Sequence, residues 1–453
     1  MEWDIPLNKS SDIPLYRQLS NALMGLVESG KLKPNAKLPP IRQIAQKLGI
    51  NNTTVVSAYK DLERKAAVYT ITGSGTYVAP PIHTKAPQAQ ALPAFTDDYI
   101  NFAHMATEAA LFPVAAFKQA FNTVMDRDGA MAFGYHDTRG YKPLRESACH
   151  LLSGLGVKAT PNNVHIVSST GQGLRSLANA LLTPGDIVFL EQPAPQWVAA
   201  VFQAGRAKII EMPMLKDGPD FNALEALLKR HKPNIFYVTP NFHQPMGICY
   251  STESKHRLLA LARAYNAYII EEDQLSDFYY DGIIRTPLMA SDREGRVIYV
   301  KNFSRILTQG LGMGFVVCPD GMPEILYDTD TSPPGYTQRA FDVFLRSGNY
   351  ESHTANMRRV YGRRYQRVVA AMSTYFNNLA DFTLPGGGLS IWVTPHVAGD
   401  YVSRFLQKKV VVSPGELFAE DMPGFRLSFA AVPERHIAEG IGAIASTLQE
   451  GLR

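Results

Sequence analysis

Cysteine is scarce in this 453-residue sequence: Cys149, Cys249 and Cys318 are scattered and odd in number. That excludes a disulfide framework and the paired spacing of a zinc site, and it fits a reducing cytoplasm, where the chain is expected to reside. Long apolar runs are missing as well. No stretch approaches the roughly 20 residues of a membrane span, so no membrane partner is expected. The start, Met1-Glu2-Trp3-Asp4, has no basic region leading into an apolar run, which speaks against a signal peptide. Internal repeats are also absent. A strong charge of one sign is lacking overall, since the net charge is only +4, yet that excess is unevenly placed. Residues 1–80 hold ten Lys/Arg against six Asp/Glu, and the rest of the chain holds 35 of each. A local positive bias is compatible with a polyanionic partner and equally with a solvated surface.

The chain is too long for one ordinary domain, and 45% hydrophobic against 19% charged residues suits well-cored globular units. Residues 79–98 are rich in Pro, Ala and Gln and read as a linker. Before it, apolar residues at Leu15, Leu19, Leu23 and Leu26 predict a helix over 14–29, stopped by Gly30. A second short helix is expected over 40–48, broken by Gly49, and a third from Asn51 to about Lys65. Two β-favouring runs, 68–72 and 76–78, flank Gly73-Ser74-Gly75, a hairpin signal. That order is a winged helix-turn-helix. After the linker, strand-like runs at 164–168, 187–190, 208–212, 235–239, 268–271, 297–300 and 314–318 alternate with helical patterns. Several are apolar on both faces, which predicts an α/β unit with a mostly parallel seven-stranded sheet buried between helices. From about Tyr336 the pattern changes to long helices and mixed strands, at 389–393 and 426–429, as in a smaller α+β domain. The expected division is 1–78, linker 79–98, 99–335 and 336–453.

The first block resembles the GntR-type winged helix through Pro14-Leu15-Tyr16-Arg17-Gln18, Lys37-Leu38-Pro39-Pro40-Ile41-Arg42, Gly49 to Leu62 and Gly73 to Val78, in order and in spacing. The resemblance implies specific binding of double-stranded DNA. Asn51, Asn52, Thr53 and Thr54 offer short donors and acceptors suited to base edges and phosphates, although the same residues can simply cap a helix. Arg42 can clamp a phosphate or a guanine, and the wing of Gly73, Ser74 and Gly75 lets backbone amides approach the DNA. Many relatives carry Arg where this chain has Asn52, so two copies of the head are expected to be needed.

The rest of the chain resembles fold-type I aminotransferases, and the combined layout resembles the MocR subfamily of bacterial regulators. Phe133-Gly134-Tyr135 through Arg145, Thr183-Pro184-Gly185-Asp186, Pro245-Met246-Gly247 and Pro423-Gly424-Phe425-Arg426 carry the likeness. The resemblance implies a homodimer and a site for pyridoxal phosphate (PLP). Five positions depart from that site. Where the family has the Schiff-base lysine, Phe303-Ser304-Arg305 supplies arginine, which stays protonated and cannot supply the free amine. The ring-stacking aromatic is Pro195, the pyridine-nitrogen aspartate is Glu272, the tyrosine on the ring hydroxyl is Gln274, and the phosphate-gripping arginine is Gly312. What survives is Ser169-Thr170-Gly171 at a strand-to-helix junction, an anion site or an ordinary N-cap, and Arg426, a carboxylate clamp or a structural salt bridge. Arg305 either holds an anion or fills the vacated space by pairing with Glu272.

Two readings follow. The first is a DNA-binding regulator whose body dimerises and senses a small anionic or amino-acid effector, with no covalent PLP, at most weak non-covalent PLP, and no transaminase activity. The second is a working PLP enzyme or PLP-dependent regulator that uses a non-standard lysine such as Lys301, four residues before Arg305.

Overall fold

The computed structural model describes residues 5, 7–9, 11, 13–33, 35–65, 67–71, 74–79, 98–134, 137–322, 332–396 and 399–451, which form two compact units. The expected linker lies almost wholly outside them. The first unit contains α1 (Leu15–Glu28), α2 (Ile41–Leu48) and α3 (Asn52–Arg64), followed by β1 (Val68–Ile71) and β2 (Gly75–Val78). Leu19 and Leu23 of α1 lie one turn apart and meet Val55, Ala58 and Leu62 of α3 in one core, with Val68 and Val78 of the hairpin. Gly49 ends α2 in the left-handed region at φ 62°, where a side chain would be strained. Side-chain bonds then fix α3. The Tyr59 hydroxyl donates to the Pro39 carbonyl at 2.8 Å, and Ser20 donates to Asp61 at 2.7 Å. Lys65, Ser20 and Arg64 together hold the Asp61 carboxyl far below the usual carboxylate range. The hairpin is antiparallel, with Val68 opposite Val78 and Ile71 opposite Gly75.

The second unit opens with β3 (Ile100–Asn101) and is built on β4 (Val164–Val167), β5 (Ile187–Gln192), β6 (Lys208–Leu215), β7 (Gly218–Pro219), β8 (Ile235–Val238), β9 (Tyr268–Asp273), β10 (Val297–Asn302) and β11 (Gly314–Val317). The sheet order is β4-β11-β10-β9-β8-β5-β6-β7. The sheet is mostly parallel, and only β11 and β7 run against their neighbours. Eight strands form where seven were expected. The extra one, β7, is two residues folded back on β6, too short to show any alternation. Strands β4, β8, β10 and β11 are buried along their whole length, which is why they read as continuous apolar runs.

Helices α4 (Val114–Asp128), α5 (Lys142–Ser153), α6 (Thr170–Leu181), α7 (Gln196–Ala204), α8 (Phe221–Leu228), α9 (Thr252–Ala264) and α10 (Gly335–Arg346) belong to the layers around this sheet. Phe117 of α4 stacks on Phe344 of α10 with centroids 4.5 Å apart. The C-terminal part contains α11 (Asn349–Tyr375), β12 (Ala380–Phe382), β13 (Ser390–Pro395), α12 (Tyr401–Gln407), β14 (Val410–Val411), β15 (Ser413–Pro414), β16 (Phe425–Ser428) and α13 (Ile437–Gly451). Its antiparallel sheet runs β12-β13-β16-β15, while β14 pairs in parallel with β3. The residues just after the linker are thus built into the C-terminal part. A Cβ on Gly440 of α13 would sit 2.4 Å from the Phe102 ring, so this seam closes only on glycine.

Candidate DNA interface and effector pocket

In the N-terminal unit, Arg42 is the second residue of α2 and is exposed. Asn51, Asn52 and Thr53 are exposed at the start of α3, and Thr54 is half-buried. The Asn51 side chain accepts from the Thr53 amide at 3.3 Å, so capping occupies that group, while α3 holds the recognition-helix place of the motif. On the wing, the Ser74 hydroxyl bonds with the Tyr77 hydroxyl at 2.6 Å. Gly75 has φ +133°, and a Cβ there would lie 2.8 Å from the Lys37 side chain. Its glycine is therefore explained by the crossing of Lys37, whose ammonium sits 5.8 Å from the Tyr77 ring centre. Gly73 lies outside the described residues. The sequence reading passed over Lys37 as a candidate contact, because nothing in its spacing reveals that it lies across the wing.

In the second unit, side-chain alternation along β9 separates Glu272 from Glu271 and Asp273. Glu272 is buried, and its two oxygens accept from the Tyr237 hydroxyl and from the Gln274 side-chain amide. Burial pushes the Glu272 carboxyl above its usual value, against these bonds, a bond from Thr170 and the charge of Arg305. Arg305 makes no ion pair among the described residues. Its Nε reaches the Gln274 Oε1 at 3.4 Å, and its carbonyl is anchored by the Thr107 hydroxyl at 2.7 Å. Burial lowers the Arg305 pKa, and the charge of Glu272 works the other way. The suggested direct pairing of Arg305 with Glu272 is replaced by an indirect one through Gln274.

Lys301 points elsewhere. It sits opposite Asp273 in the β9–β10 register and is 1% exposed. Its ammonium is 2.6 Å from Asp277 and 4.0 Å from Asp273. Burial works against its charge, but the two carboxylates outweigh it and raise its pKa. A lysine on the Asp273 face, held charged by two acids, does not stand in for the family lysine; the sequence alone leaves that substitution open because separation along a strand does not say which partners a side chain finds.

Arg426, on β16, has no carboxylate partner among the described residues, which removes the salt-bridge alternative. Its two terminal nitrogens donate to Gln244 at 3.3 Å and to Ala103 carbonyl and Ser413 hydroxyl at 3.0 Å each. Its Nε is buried without a partner. Burial first, and the positive charge of Arg305 second, bring its pKa down to about 9.

Ser169 caps α6 by accepting from the Gln172 amide at 3.1 Å, and the Thr170 hydroxyl serves Glu272, so both hydroxyls of the expected anion loop are engaged. Ser168, Ser169, Gln172, Arg175 and Gly312 line one cavity of about 600 Å³. Gly312 is left-handed at φ +57°, which disfavours any arginine there. Pro195 precedes α7 and accepts the Val198 amide through its carbonyl at 3.0 Å. Trp197, two residues on, is 42% exposed, and its ring lies 3.8 Å from where a Cβ of Gly171 would be. An aromatic at the mouth of the anion loop escapes a reading keyed to position 195.

A winged helix-turn-helix unit and a fold-type I aminotransferase-like unit together define a class of regulator. Residues 15–78 match the bacterial regulatory proteins of the gntR family, and residues 100–444 match aminotransferase class I and II. The chain belongs to the MocR-like, GntR-type transcriptional regulators with an aminotransferase class I and II domain. It is 26% identical to the uncharacterized HTH-type transcriptional regulator YdfD of Bacillus subtilis, with 98% of each chain covered. It is 28% identical to the probable rhizopine catabolism regulatory protein MocR of Rhizobium meliloti, over 83% of this chain and 80% of that one. Among solved structures, a kynurenine aminotransferase of Pyrococcus horikoshii is similar with a TM-score of 0.74 and 29% identity, covering 79% of this chain and 92% of that one. Among the described residues no helix is long and apolar enough to cross a membrane.

Proposed function

We propose that this regulator binds specific double-stranded DNA in the cytoplasm as a homodimer, and that its aminotransferase-like unit senses a small anionic effector without covalent PLP and without transaminase activity. The division at 1–78, 79–98, 99–335 and 336–453 is part of this proposal, as are the DNA contacts of Arg42, Asn51–Thr54 and Ser74–Gly75.

The observation that carries the reading is the pair Arg305 and Lys301. The guanidinium at the family's lysine position stays protonated, and the neighbouring amine is spent on Asp277 and Asp273. The residues present do not fit the cofactor. Both Glu272 oxygens already accept protein donors, Gln274 replaces a phenol, and Gly312 brings no charge to the phosphate end. Each lost contact weakens binding by roughly 1–3 kcal/mol, so several together lower affinity by orders of magnitude. Homodimerisation is supported by the aminotransferase fold, and two heads would then read paired half-sites. Sedimentation at micromolar concentration tests the dimer, and an amino-donor assay with added PLP tests the chemistry. A dimer with no amino transfer is expected; a persistent monomer or measurable turnover contradicts it.

A further inference from the structure

Arg305 and Arg426 share one pocket, and neither charge is met by a carboxylate in contact. Arg426 is oriented only by neutral acceptors: Gln244, the Ala103 carbonyl and the Ser413 hydroxyl. Its buried Nε has no partner. Arg305 has one long bond, to Gln274 at 3.4 Å. Glu272 is the acid that acts on Arg305, and its two oxygens are already filled by Tyr237 and Gln274. Asp273 and Asp277 are occupied with Lys301. The two guanidiniums are near enough for the charge of Arg305 to oppose that of Arg426. Two part-buried guanidiniums facing one satisfied carboxylate leave a surplus of positive charge, and such a surplus is costly until an anion meets it. Two cationic groups at separate points ask for two separate anionic groups on one ligand.

We infer that the pocket binds a small dicarboxylate, one carboxylate on Arg426 and the other on Arg305, so that the arginine in the lysine position is itself a ligand-binding residue. This rests on the effector-sensing reading. A dicarboxylate gains from both arginines without any cofactor, whereas a monocarboxylate gains from one. Specificity for a second acid group is therefore written at position 305.

Calorimetric titration of the full chain with succinate, glutarate, butyrate and inorganic phosphate tests this, with Arg305→Gln and Arg305→Lys beside the wild type. Expected is binding of succinate or glutarate at least tenfold tighter than butyrate. Arg305→Gln should bring both down to the butyrate level, while Arg305→Lys, which keeps the charge, should retain most of the preference. Equal binding of mono- and dicarboxylates by the wild type overturns the inference, as does phosphate binding tighter than either dicarboxylate. An intact preference in Arg305→Gln also overturns it. Melting temperatures confirm that the variants fold, and Arg305→Lys keeps the test open should Arg305→Gln not. DNA affinity is measured in parallel. Dicarboxylate binding that leaves DNA affinity unchanged supports the site and removes the effector reading. A response of DNA binding to butyrate or phosphate, with no dicarboxylate preference, keeps the effector reading and removes the site.

Discussion

Single residues decide what chemistry this chain retains. Lys301 is the instructive case, because its exchange separates a structural amine from a catalytic one. Lys301→Met should destabilise the second unit by about 3–5 kcal/mol, since Asp273 and Asp277 would be left buried beside no cation. Urea unfolding measures this; an unchanged midpoint would show that the ion pair carries no weight. At the DNA interface, Arg42→Ala should weaken operator binding, and the slope of log affinity against log salt should flatten by about 0.9 if one phosphate contact is lost. Footprinting that gives equal protection for both proteins would sink the role of Arg42. Arg305, Pro195, Glu272, Gln274 and Gly312 can all be read from motif positions alone. Their partners cannot, since the Tyr237–Glu272–Gln274 bonds join residues from different strands, and the contact of Trp197 with Gly171 joins two helices.

Helices and strands carry the next level. The helices of the first unit and six long runs of the large sheet declare themselves by period and by punctuation with Gly and Asn. Short elements held only by pairing do not: β3, β7 and β14 are two residues each. The wing depends on Gly75, where φ is +133° and a methyl group would meet Lys37. Gly75→Ala should cost the first unit about 1–2 kcal/mol, and adding Lys37→Ala should recover the steric share but not the backbone share. Thermal denaturation of the two variants separates those shares, and full recovery in the double variant would rule out backbone strain. On β4, burial first, and then Arg139 and Arg145, lower the His165 pKa from 6.5 to about 4. The unfolded chain therefore takes up this proton first. Stability is complete above the unfolded value and is lost as pH falls toward the folded one, by at most about 1.4 kcal/mol per pH unit. His165→Gln should narrow the stability gap between about pH 7 and pH 5. An identical gap would assign the acid loss to other groups.

At the scale of the whole molecule, an enzyme's fold is kept while the groups that hold and activate its cofactor are replaced, and the cationic pocket that results suits recognition rather than turnover. Reducing the protein with borohydride after incubation with excess PLP, and mapping any pyridoxyl label by mass spectrometry, tests this most directly. The expected result is a colourless protein with no label at Lys301 and no aldimine absorbance to bleach. A yellow protein whose absorbance is bleached, with the label on Lys301, would contradict it and restore a PLP-dependent role.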